Sequence, residues 1–128
     1  MSAARYLLLI ASLLLVSCGE PKVAEYDALQ YESKGALAFF KDPDTGKGFT
    51  GVAQQKNKQG VLTAEFPMKK GLFHGKVKEW YADGKPKSET EFKQGERDGH
   101  NIEWTADGKV YNERIYARDK IVKEMKPQ

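Results

Sequence analysis

The feature that most constrains this chain is that it repeats itself. "GLFHGKVKEWYADGK", residues 71–85, returns as "GERDGHNIEWTADGK", residues 95–109, one step of twenty-four residues later. Gly71 falls on Gly95, Gly75 on Gly99, Glu79 on Glu103 and Trp80 on Trp104. Ala82, Asp83, Gly84 and Lys85 fall on Ala106, Asp107, Gly108 and Lys109, Glu89 on Glu113, and Phe92 on Tyr116. A further step back finds a worn copy: Gly51, Gly60 and Glu65 match Gly75, Gly84 and Glu89, but Lys56 and Gln59 stand where the later copies have Trp and Asp. A short unit repeated at fixed period cannot bury its apolar face alone and must stack on its neighbours.

Each copy reads as a β-hairpin. Asp-Gly at 83–84 and 107–108 is a strong two-residue turn signal, expected as type I′, with positive φ at both positions. Strand-forming residues flank it: Val77, Trp80, Tyr81, Thr90 and Phe92, then Ile102, Trp104, Val110, Tyr111, Ile115 and Tyr116. Recurrent Gly and a mid-segment Pro86 exclude helix. Pairing outward from Asp83-Gly84 sets Trp80 against Lys87, Lys78 against Glu89, Val77 against Thr90, Lys76 against Glu91 and Gly75 against Phe92. The same rule sets Trp104 against Tyr111, Ile102 against Glu113 and Gly99 against Tyr116. A slip of one residue would exchange the two faces. Upstream, "LQYE" and "ALAFF" flank the turn "SKG", and "FTGVAQQ" pairs across "KNKQG" with "VLTAEFPM". Asp119 to Met125 supplies a closing strand. The expected fold is all-β, an elongated single-layer antiparallel sheet of tandem hairpins over 29–125, with repeats near 47–70, 71–94 and 95–118.

The first residues stand apart. "MSAARYLLLIASLLLVSC" has one early base, Arg5, and an apolar run from Leu7 to Val16. That run suits a signal-peptide core and is too short to span a bilayer as a helix. Leu15, Val16 and Ser17 precede the single cysteine, Cys18, and resemble a bacterial lipobox. The resemblance implies cleavage after residue 17 and lipidation of Cys18, so that the membrane is one partner. Its alternative is an exported protein with a chance or buried cysteine, and one Cys forms no internal disulfide. Residues 18–28 read as the lipidated cysteine and a short tether. Gly19, rather than Asp, follows the cysteine, which in a Gram-negative host implies the outer membrane.

Composition narrows the function. The chain has 21 bases and 18 acids, a formal charge of +3, interspersed rather than clustered. Nucleic acid binding needs basic residues gathered on one face, so no nucleic acid partner is expected. No catalytic set and no metal or other cofactor is expected either. The histidines, His74 and His100, have no Cys or His at metal spacing. Glu65, Glu89 and Glu113 suit strand-surface pairing, and Asp83, Gly84, Asp107 and Gly108 are explained by their turns. Trp80, Tyr81, Trp104, Tyr111 and Tyr116 form the candidate binding face. They stack on a partner, or they simply cover the sheet and its glycines.

"GKVKEWYADGKPKSETEFKQGERDG" resembles the MORN repeat in its bacterial variant form, and "GALAFFKDPDTGKGFTG" resembles the lead-in of bacterial YwqK-like antitoxins. The resemblance covers about residues 31–118 and implies hairpins laid side by side in an open sheet. It departs at Lys56, at Glu96-Arg97, and at Ala117-Arg118-Asp119-Lys120, where the final Gly is lost as in a capping repeat. The reading that follows is a non-enzymatic, lipid-anchored interaction module of the bacterial envelope with a protein partner. The alternative is an envelope immunity or antitoxin-like protein that binds one toxin. A third class, an envelope-polymer hydrolase, would require Glu and His gathered in one deep pocket.

Overall fold

The computed structural model describes residues 19–127; the segment expected as a signal peptide, 1–17, and Cys18 lie outside the described residues. The strands are β1 (Val23–Glu25), β2 (Gln30–Lys34), β3 (Leu37–Lys41), β4 (Gly51–Lys56), β5 (Leu62–Lys69) and β6 (Leu72–Phe73). They continue as β7 (Gly75–Trp80), β8 (Pro86–Lys93), β9 (Glu96–Trp104), β10 (Val110–Ala117) and β11 (Lys120–Met125). Nine of them form one open sheet in the order β1-β4-β5-β7-β8-β9-β10-β11, with β6 also on β5. The tandem hairpins are β4–β5, β7–β8 and β9–β10, and β11 closes the array as an antiparallel partner of β10.

The Asp-Gly turns do not take the type I′ geometry expected of them. At Asp83-Gly84 only Gly84 has positive φ, +86°. Gly84 N–H donates to Tyr81 O and Tyr81 N–H donates to Lys85 O, both at 2.9 Å. This is a type I turn closed by a left-handed glycine, a common three-to-four-residue solution. The Asp83 carboxylate favours it by accepting the Lys85 N–H at 3.0 Å. The same two backbone bonds recur at Asn57–Val61 and Thr105–Lys109. Type I′ turns occur instead at the junctions between copies. There both residues have positive φ: Lys70 and Gly71, Gln94 and Gly95, Arg118 and Asp119. Asp119 thus takes the left-handed place of the missing glycine, which Asp tolerates better than most residues.

Register follows expectation from Gly75↔Phe92 to Glu79↔Ser88, then shifts. Trp80 pairs with Pro86 rather than Lys87, and Trp104 with Val110 rather than Tyr111. The longer turn leaves one extra residue on the returning strand, so Thr63, Lys87 and Tyr111 are bulged at twenty-four-residue spacing. The expected Lys–Glu ladder closes diagonally, with Lys76 Nζ 3.2 Å from Glu89 Oε2. Glu91 instead accepts the His100 N–H at 2.7 Å.

The array gains two features at its N-terminal end. First, the segment expected as a tether, 18–28, is built into the fold from Val23 onward. β1 pairs parallel with β4, Val23↔Val52 to Glu25↔Gln54. A parallel strand has no hairpin turn to announce it, and three residues show no periodicity. Lys22 Nζ contacts the Asp42 carboxylate, and Val52 N–H donates to Lys22 O at 2.8 Å. Second, β2 and β3 form a separate two-stranded sheet that covers one face of the array. Phe40 N–H donates to Gly71 O and Phe49 N–H to Phe40 O, which fixes this layer on the first junction turn. The core lies between the layers: Phe40, Phe49, Ala53 and Met68, with Ala24, Tyr26, Leu29, Ala38, Phe66 and Phe73 packed against them. Tyr26 and Phe66 centroids are 4.5 Å apart, Phe40 and Phe73 5.2 Å, and Phe73 and Phe92 5.3 Å. Each such pair adds about 0.5–1.5 kcal/mol beyond burial.

Lys22 and the Asp44 N–H hold the Asp42 carboxyl below its ordinary range. A depressed carboxyl stabilises the fold above the free-aspartate range, near about pH 3.9, and that contribution is lost as pH falls through the lower folded value. Asp42→Asn is therefore expected to speed hydrogen exchange at the Val52 amide at neutral pH. The wild type should show the same release only in strong acid. Hydrogen exchange followed by NMR against pH checks this, and unchanged protection in the variant would show that β1 holds without the pair.

Candidate functional site

Alternation along the strands divides the sheet into two faces. The inner face carries Ala53, Ala64, Val77 and Asn101, all buried. The outer face carries Glu65, Lys78, Glu89, Ile102 and Glu113, which are cross-strand partners in one row.

On the inner face, residues at equivalent repeat positions change character along the array. Phe49, Phe73 and Arg97 are equivalent, as are Ala53, Val77 and Asn101; Phe66, Thr90 and Arg114; and Ala64, Ser88 and Asn112. Copy one is apolar at all of these, copy three at none. The change follows the second layer: β2–β3 packs over the first copy, whereas in the third Asn101 is buried and Arg97, Asn112 and Arg114 are half-buried beneath no second layer. The polar residues satisfy one another. Asn101 Nδ2 donates to Thr90 Oγ1 at 2.9 Å, Ser88 Oγ to Glu79 Oε2 at 2.6 Å, and Arg114 Nε to Glu124 Oε1 at 2.8 Å. Asn112 Nδ2 donates to Glu103.

The five candidate aromatics do not share one face. Trp80 and Trp104 alternate with Glu79 and Glu103 and so belong to the outer face with Lys78 and Ile102. Tyr116 lies on the inner face, is 7% exposed and packs under the Arg97 guanidinium, 4.3 Å from its ring centre. It is a core residue of the third copy. Tyr81 opens the first Asp-Gly turn and donates its hydroxyl to Trp104 O at 2.7 Å, so its ring bridges two copies. Tyr111, the bulged residue of β10, is 52% exposed. The Glu103 carboxylate, then burial, then Tyr81 and Glu79 push its phenol pKa up. The register places Tyr111 between Val110 and Asn112, the partners of Trp104 and Glu103, and the Tyr81 hydroxyl on Trp104 O brings its ring to the same corner. Asp83, Gly84, Asp107 and Gly108 stand at the exposed hairpin turns.

A groove of about 490 Å³ opens beside Tyr111, lined by Glu103, Asn112 and Arg114 and by Glu124, Met125, Lys126 and Pro127. The histidines lie apart from it. His74 Nδ1 accepts the Gln94 N–H at 3.3 Å, and His100 Nδ1 stands 4.0 Å from Glu113 on the outer face. The described residues gather no group of three metal-ligating side chains. The residues overlooked in the sequence are Ser88, Asn112, Arg97 and Arg114. Their signal was present as the mismatches between copies, which a search for matches passes over.

No curated protein and no solved structure matches the chain. Residues 73–94 match the family profile described as a MORN repeat variant. The β7–β8 hairpin is thus similar to a MORN repeat variant, and the hairpins before and after repeat its turns at the same twenty-four-residue spacing.

Proposed function

We propose that this chain is a lipid-anchored, non-enzymatic interaction module of the bacterial envelope, held at the membrane through Cys18. MORN repeats are in general protein- or membrane-interaction modules, and one such repeat stands in the centre of the sheet. The observation that carries the reading is the open inner face of the third copy. It is polar, groove-bearing and left uncovered by β2–β3, while the same face of the first copy is sealed. β1 follows Cys18 by a few residues and forms one edge of the sheet; β11 forms the other. With seven strand spacings of about 4.8 Å between them, a membrane-anchored β1 edge would leave the third copy roughly 30 Å along the sheet from its tether. That reach suits a surface offered to another envelope protein.

Two measurements test this. Cys18→Ser is expected to move the chain from the membrane to the soluble fraction, since one signal removed leaves no stable anchor; an unchanged distribution would remove the lipid from the reading. Crosslinking in intact cells, followed by capture, is expected to recover one protein in stoichiometric yield. Capture of none would turn the search from proteins to envelope polymers and small ligands.

A further inference from the structure

Within a repeat, each copy serves as a control for the others. The residue that opens the hairpin turn is Asn57, Tyr81 and Thr105 in the three copies. Asn57 and Thr105 do turn work: Asn57 Oδ1 accepts the Gln59 and Val61 N–H groups, and Thr105 Oγ1 accepts the Lys109 N–H. Tyr81 does none of this and reaches across to Trp104 O instead. The bulged residue is likewise Thr63, Lys87 and Tyr111. Neither tyrosine is therefore demanded by the repeat. Both belong to the one place where the row Gln55, Ala64, Glu79, Ser88, Glu103, Asn112 bears carboxylates. Glu79 and Glu103 flank β8, so their backbones are about 10 Å apart, two strand spacings. The chain also shows what this surface accepts: Lys87 Nζ lies 5.8 Å from the Tyr81 ring centre. Electron-rich ring faces beside carboxylates attract cations, more so where water is partly excluded.

We propose that Tyr81, Tyr111, Glu79 and Glu103 receive a lysine or arginine side chain of the partner protein, with Tyr111 and Glu103 lining the groove and Tyr81 and Glu79 lining the hollow that holds Lys87. This deepens the interaction reading and rests on it. The ammonium or guanidinium sits between the carboxylates and against the Tyr111 ring, and the stem of the side chain lies along the groove.

The test is titration of the chain with tetra-arginine and tetralysine peptides, followed by the NMR resonances of Tyr81 and Tyr111, with tetraglutamate as control. Saturable shifts are expected with both basic peptides and none with tetraglutamate. Glu79→Gln with Glu103→Gln is expected to weaken binding by roughly tenfold, and Tyr111→Ala by a similar factor. Tyr111→Phe keeps the ring and should stay within about twofold. Circular dichroism and thermal melting confirm that each variant folds; Tyr111 is half exposed and Gln preserves the shape of Glu. Shifts confined to the outer face, at Trp104 or His100, would overturn the site, as would affinities indifferent to these variants. A partner captured equally well by wild type and the double Gln variant would overturn this site while leaving the interaction reading intact.

Discussion

Phe49→Ala should destabilise the protein by about 3–5 kcal/mol, while Arg97→Ala, two copies further along at the equivalent position, should cost about 1 kcal/mol or less. Phe49 is 1% exposed and stands in the core between the sheet and the β2–β3 layer. Truncation there removes a whole ring from a site closed on both sides, and a cavity remains because the sheet cannot collapse into it. Arg97 does different work in the same place. Its Nε donates to Asp119 at 2.9 Å in an exposed pair, and its guanidinium covers the Tyr116 ring from the solvent side. Exposed ion pairs and exposed cation–π contacts are each worth on the order of 1 kcal/mol or less. Urea unfolding of the two variants, compared at constant slope, measures the difference directly. Equal costs would mean that the third copy is as tightly packed as the first, which its open face contradicts.

The contrast also shows what the sequence could and could not convey. Hairpin number, turn positions and most of the cross-strand register were legible, because Asp-Gly, recurrent Gly and a fixed spacing report local backbone demands. Gly75↔Phe92, Lys78↔Glu89 and Gly99↔Tyr116 all form as the pattern implies. Turn type was not legible. Lys70, Gln94 and Arg118 have no preference for positive φ, and they adopt it because a two-residue link between twisted strands requires it. Only the place of Tyr111 depended on turn type, because it is itself the bulged residue; Tyr116 lies opposite Gly99 as expected, and Gly99 is five residues from Trp104 along β9, so plain alternation already set Tyr116 on the other face. The strand β1 was hidden in what reads as a tether, because a three-residue parallel strand depends on β4 for its existence. Likewise the second layer could not be seen from "LQYE" and "ALAFF", since their hairpin is legible but its place over the first copy is a tertiary fact. The inner-face gradient from Phe49 to Arg97 records that cover.

The second large effect separates two substitutions that look identical in sequence. Gly71→Ala should cost about 3 kcal/mol or more and Gly84→Ala about 1–2 kcal/mol, although both glycines have φ +86°. The backbone penalty of a left-handed alanine is common to both. Space is not. A Cβ on Gly84 meets nothing within 4 Å, whereas on Gly71 it would overlap the Phe39 ring, with Cζ at 2.7 Å. Gly71 also joins three parts of the fold: its N–H donates to Phe49 O at 2.8 Å, and its carbonyl accepts the Phe40 N–H at 2.8 Å. Displacing Phe39 therefore strains the contact that seats the β2–β3 layer on the sheet. Thermal and urea unfolding of the two variants side by side supply the measurement. Similar losses would show that the ring moves aside freely and that the layer is held elsewhere, in the Tyr26–Phe40–Phe73 cluster alone. A Gly71 loss well beyond that of Gly84, together with faster exchange at the Phe40 amide, would locate the closure of the core at this junction turn.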